Sequence, residues 1–229
     1  MGNLSDLIFE DLTGEEKTVP RYLEYEEPVF SLEEALRYSG FPMDKAKAVA
    51  CGETEDPDAM QRIEKVKELS KGQFIYKVGY MTSPITFDED GFVVLPFKQH
   101  SEALKINLSG CKKAVFFAAT IGSGIDRLIR RYERTELDTA LFLQGFGAER
   151  AESLANAFNA DVKEAAKKLG FMAHPRFSPG FGDLPLSVQV EFLGMLDATR
   201  RMGITLGESY LMAPSKSVTA IIGLEQEIK

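Results

Sequence analysis

From Lys113 to Thr120 the chain reads KAVFFAAT, an apolar run of strand length that falls far short of the roughly 20 residues needed to cross a bilayer. A run of this kind belongs at the centre of a sheet. The turn Gly122-Ser123-Gly124 leads from it into a helix over Ile125 to Arg134. A longer helix follows, in which Leu154, Phe158, Val162, Ala165 and Leu169 recur at steps of three and four until Gly170 ends it. Upstream, Ser31 caps a helix through Arg37 that Gly40 and Pro42 close, and Asp58 to Leu69 carries Met60, Ile63 and Val66 on one face. Phe74–Tyr80, Ile85–Phe87 and Phe92–Phe97 alternate as strands, the last two joined by Asp88-Glu89-Asp90-Gly91. Pro185 opens a helix whose buried face is Leu186, Val190, Leu193 and Leu196, ending at Gly203. Ile204–Leu206, Ser209–Met212 and Ser217–Ile222 read as closing strands around the turn Pro214-Ser215-Lys216. The first thirty residues form an acidic arm in which Leu7, Ile8 and Phe9 make a short strand. The expectation is one α+β domain over residues 1–229, with a mainly antiparallel twisted β-sheet flanked by α-helices and no internal repeat.

Charge narrows the partners. Against 27 Lys and Arg stand 35 Asp and Glu, a formal net charge of -8 that opposes nucleic-acid phosphates and anionic membrane faces. Cys51 and Cys111 are the two cysteines, too few and too far apart for a disulfide framework or a paired-cysteine zinc site. His100 and His174 have no carboxylate at ligand spacing, so no metal site is expected. Asp6 and Glu10 sit where a signal peptide would place basic and apolar residues, and a cytoplasmic location is the expectation.

The segment His174 to Pro185, HPRFSPGFGDLP, packs three prolines and two glycines between two helices. Proline fixes φ and removes a donor, while glycine lets a ligand approach the backbone, so such a connection presents main-chain groups in a set geometry. Arg176 adds a planar fork for a carboxylate, and Phe177 and Phe181 add flat apolar faces. The ligand this suits is anionic at one end and aromatic at another; a plain helix connector with Arg176 paired to an internal acid is the competing reading. On the long helix, Glu149, Glu152, Asn156 and Lys163 form a polar stripe able to line a groove.

These residues resemble a known family. Arg176-Phe177-Ser178-Pro179-Gly180-Phe181 is similar to the Arg-x-x-Pro-Gly-Tyr signature of the reactivation domain of cobalamin-dependent methionine synthase, which binds S-adenosylmethionine. Leu206 to Met212, followed by Pro214 and Ser217-Val218, is similar to that family's second signature, and Ala151 to Phe158 to its Arg-Leu-Ala-Glu-Ala-Phe helix. The matches fall in order over about the last eighty residues. What the resemblance implies is a ligand site of Arg176, Ser178, Pro179, Gly180, Phe181 and Asn156. Phe181 replaces a tyrosine there, and Asn156 replaces a glutamate.

The resemblance further implies that the ligand donates its methyl group to cob(II)alamin as one electron arrives, so the chemistry lies in the cofactors and no catalytic residue is expected. The cobalamin would be carried by the partner. The expected partner is a cobalamin-dependent methionine synthase lacking its own reactivation module, served in trans, so that the chain acts as part of a methyltransferase and not as an enzyme alone. The basic stripe Arg127, Arg130, Arg131 and Arg134 could dock an acidic, flavodoxin-like electron donor, with an ordinary solvated face beside Asp126, Glu133 and Glu136 as the competing reading. Two readings compete: a small-molecule binding or sensing protein without catalysis, and a nucleotide-dependent enzyme built on the Gly122 turn.

Overall fold

The computed structural model describes residues 4–94 and 99–227. The chain opens with α1 (Leu4–Thr13) and passes through β1 (Arg21–Glu24), α2 (Leu32–Tyr38), α3 (Met43–Ala50) and α4 (Pro57–Ser70) into β2 (Lys77–Pro84). The two-residue pair β3 (Thr86–Phe87) and β4 (Val93–Val94) and the short α5 (Glu102–Asn107) precede β5 (Cys111–Thr120), α6 (Gly124–Tyr132) and α7 (Leu137–Lys168). After β6 (Phe171–Ala173) come a single 3-10 turn over Leu186–Val188, α8 (Gln189–Met195) and α9 (Ala198–Met202). The pair β7 (Thr205–Leu206) and β8 (Met212–Ala213) then leads to β9 (Ser217–Gln226).

Five strands form one antiparallel sheet in the order β1-β2-β5-β9-β6. The apolar run is its middle strand, covered on both faces, and alternation sorts its side chains between two cores. Val115, Phe117 and Ala119 pack under the helical layer with Tyr80, Ile222 and Phe158. Phe116 and Ala118 meet Met81, Ile221 and Phe192 on the opposite face. The Phe158 ring lies 4.8 Å from Phe117 and 5.4 Å from Tyr80 between centroids, which seats α7 directly over the sheet centre.

Several local expectations shift. Leu7, Ile8 and Phe9 lie in α1, because Leu4, Ile8 and Leu12 recur at helical spacing and Ile8 and Leu12 are buried. The acidic arm is therefore a helix plus an edge strand, with β1 paired to β2. The strand placed at Phe74–Tyr80 runs from Lys77 to Pro84. Of the strand placed at Phe92–Phe97, Val93–Val94 pairs with Thr86–Phe87, and residues 95–98 lie outside the described residues. The helix placed from Pro185 to Gly203 is broken: the 3-10 turn advances the phase so that Val188 is buried and Val190 is 54% exposed. Asp197 then interrupts it at φ 45°, a left-handed conformation that Asp tolerates. Residues 208–210 form a turn between β7 and β8 in place of the start of a strand.

The helix α7 has 32 residues, a length of about 48 Å at 1.5 Å per residue. Midway along it Glu149 and Arg150 are both buried and paired, Nε to Oε2 at 2.5 Å and Nη2 to Oε1 at 2.7 Å. Arg150 donates further to the carbonyls of Pro28 (2.7 Å) and Val29 (3.1 Å) and lies 5.0 Å from the Phe30 ring centre. Glu149 accepts from Ser31 N–H (2.9 Å) and the Ser153 hydroxyl (2.7 Å). Together they clasp residues 28–31 onto α7. Arg150→Met leaves Glu149 buried without its counter-charge, so a loss of about 3–5 kcal/mol is expected. Urea denaturation reads it, and Arg150→Met/Glu149→Gln should recover part of the loss.

Candidate functional site

The edge strand β6 pairs with β9, and the chain continues along the same strand after β6 ends. His174 N–H donates to Gly223 O (2.8 Å), and Phe177 and Ile221 exchange backbone hydrogen bonds of 2.9 and 2.8 Å. Alternation then decides the side chains: Phe177 turns into the core on one face of the sheet, and Arg176 to the side of α7. There its Nη2 donates to Glu152 Oε2 (3.0 Å) and Asn156 Oδ1 (2.9 Å), one helical turn apart. Among the described residues Nε and Nη1 of Arg176 have no partner, and about a fifth of the side chain is exposed.

The rest of the loop is held from below. Asp183 accepts from the Ser101 hydroxyl (2.5 Å) and from Glu102 and Ala103 N–H (2.8 and 3.2 Å), capping α5 across some eighty residues. Gly182 sits at φ 55°, and a side chain there would meet Ala103 Cβ at 2.6 Å. Asn107 at the end of α5 donates to Pro175 O (3.1 Å). The His174 ring spans Asn107 O (2.6 Å) and Glu225 Oε2 (3.0 Å), so it belongs to the scaffold. Pro179 is buried, and Gly180 N–H is taken by Leu184 O (2.8 Å). Ser178 N–H and hydroxyl have no partner among the described residues, and the Phe181 ring, 58% exposed, stands edge-on to Phe177 at 6.2 Å.

The structure thus brings Arg176 and Asn156 into contact beside the Ser178–Phe181 turn. It adds Glu152, which has no counterpart in the motif that points to Asn156. Its signal was its place four residues earlier on the same stripe. Asn159, one turn beyond Asn156, has a buried Oδ1 with no hydrogen-bond partner among the described residues. Glu149, in the same stripe, belongs to the buried clasp, and Lys163 is exposed.

Other motifs resolve differently. Gly122-Ser123-Gly124 is a packing turn: Gly122 N–H bonds Thr120 Oγ1 (3.2 Å), and a Cβ at Gly124 would strike the Gln73 carbonyl. Arg127, Arg130, Arg131 and Arg134 stand exposed on and just after α6, with no carboxylate in ion-pair distance among the described residues. No described helix is long and apolar enough to cross a membrane. No group of three or more His, Cys, Asp or Glu among the described residues is placed to hold a metal ion.

The architecture is similar to that of the MetH reactivation domain solved bound to AdoHcy, with a TM-score of 0.65 over 92% of this chain and 79% of that one. The chain has the fold of a methionine synthase reactivation domain. Sequence identity over the match is 14%. No protein-family model and no curated protein sequence matches the chain.

Asp183 supplies a test of how the loop is held. The Ser101 hydroxyl and then the Glu102 amide hold its carboxyl below the usual carboxylate range. A depressed folded value stabilises above the unfolded value of about 3.9, and the contribution is lost as pH falls through the lower folded value. Hydrogen exchange should therefore show Glu102 and Ala103 amides losing protection in Asp183→Ala at neutral pH and in the native chain in acid, with α7 unaffected.

Proposed function

We propose that the chain binds S-adenosylmethionine at the Arg176 loop and serves the reductive methylation of cob(II)alamin held by a partner methionine synthase that lacks a reactivation module. The observation that carries this reading is the unpartnered Nε and Nη1 edge that Arg176 keeps beside Glu152 and Asn156 in a reactivation-domain fold; the Arg176–Glu152 pair itself is what a plain connector also predicts. A methionine-like end bears a carboxylate and an ammonium close together. The free Nε and Nη1 edge of Arg176 suits the first, and Glu152 with Asn156 Oδ1 suits the second. The Ser178 amide is a further donor, and the exposed ring of Phe181 is a face for the adenine. The carry-over from the family named Asn156 alone on α7; Glu152 restores a carboxylate one turn away.

The transferred methyl comes from the ligand's sulfonium and is received by cobalt on the partner, so this chain binds, orients and excludes water. The unpaired arginines of α6 are the surface on which an acidic, flavodoxin-like electron donor would dock. A sensing protein that binds the same ligand without methyl transfer is the second reading, favoured by the loss of the tyrosine hydroxyl at Phe181.

Isothermal titration with S-adenosylmethionine and S-adenosylhomocysteine tests the site. Charged hydrogen bonds contribute roughly 1.5–3 kcal/mol each, so Arg176→Ala should weaken binding by about tenfold or more. Unchanged affinity would remove the loop from the account. Adding the chain, S-adenosylmethionine and a reductant to an oxidised synthase without its last module should restore turnover; binding without restored turnover would leave the sensing reading.

A further inference from the structure

On the neighbouring face of α7 lies a cavity of about 1090 Å³ between α1, residues 24–29 and the second half of α7. Its walls are apolar: Leu4 and Leu7 from α1, Pro28 and Val29 opposite, and the small side chains of Ala157 and Ala160 along α7. Val29 is 91% exposed. Its rim is acidic, carrying Glu24, Glu26, Glu27 and Asp161, and no Lys or Arg lines it.

The rim charges are poorly compensated. Lys77 and Arg150 approach Glu24 and Glu27 only at 3.4 Å, and Arg150 is already committed to Glu149. Glu26 has no cationic partner among the described residues. Asp161 accepts only the Tyr25 hydroxyl (2.6 Å), and burial, with Glu164 nearby, raises its carboxyl above the usual range. Lys168 at the end of α7 is engaged by Glu164 (3.1 Å) and Asp6 (3.4 Å).

We propose that this cleft docks a basic amphipathic helix of a partner protein. Along α7 the lining runs from Ser153 at one end to Asp161 at the other, eight residues or about 12 Å at 1.5 Å per residue. One ammonium group cannot serve both ends, whereas Lys or Arg at successive turns of a helix can. The apolar walls call for an apolar face between those cations, and Ala157 and Ala160 permit close approach of a helix. The net charge of -8 adds long-range attraction for a basic segment. This proposal does not depend on the Arg176 site.

Fluorescence anisotropy tests it with a dye-labelled 14-residue peptide of amphipathic Leu/Lys pattern. Controls are the same composition scrambled, the Leu/Glu counterpart, and unlabelled spermine and tetrabutylammonium as competitors. The Leu/Lys helix should bind the full chain, more weakly as salt rises, and at least tenfold more weakly to Ala160→Arg and to Glu26→Lys/Asp161→Asn. Position 160 is exposed, so Ala160→Arg should fold, as thermal melting will verify. Arg176→Ala should leave the peptide affinity unchanged. Absence of binding, equal binding of the scrambled peptide, indifference to both cleft variants in folded protein, or full displacement by the small cations would each overturn the proposal.

Discussion

Two charges buried side by side on α7 organise the functional half of the molecule. Taking Glu149 and Arg150 out of water is unfavourable, and the cost is offset only because carbonyls, an amide, a hydroxyl and an aromatic ring surround them. Those partners come from residues 28–31 and Ser153, so the ion pair sets where the first connecting segment crosses α7. The same helix, within two turns, presents Glu152 and Asn156 to the loop on one side and Ala157 and Ala160 to the acidic cleft on another.

The His174–Pro185 loop is rigid for reasons beyond its prolines. Its first half extends the sheet along β9, and its second half is a helix cap for α5 through Asp183. Because one residue turns down and the next up along a strand, burying Phe177 obliges Arg176 to face α7. The guanidinium is then held by two acceptors before any ligand arrives, which lowers the ordering entropy of binding. Under the proposed function, a fork already facing a carboxylate would favour a ligand of both signs over a simple anion.

Opposite charges are kept apart on the surface. Four arginines without a carboxylate partner among the described residues lie on and just after α6, before α7 begins, and four carboxylates line the apolar cleft toward the end of α7. Under the proposals above, the arginines would meet an acidic electron donor and the cleft a basic helix, so charge would keep the two partners apart.

The central strand, the Ser31 helix start, the helix over Asp58–Leu69, the long helix and the proline-glycine loop were legible because apolar runs, caps and proline-glycine content are local properties of the chain. The α1 helix was missed where three adjacent apolar residues hid a four-residue period, and α8 slipped phase because a 3-10 turn cannot be read from spacing alone. Of the candidate site, Arg176 and Asn156 could be named from the chain, but not that they touch or that Glu152 joins them from 24 residues before Arg176. By itself the sequence determined which segments must be buried and which must be stiff. Only the tertiary structure decided which partner each charge met, since that depends on which helix face lands on which strand edge, a register no local window contains.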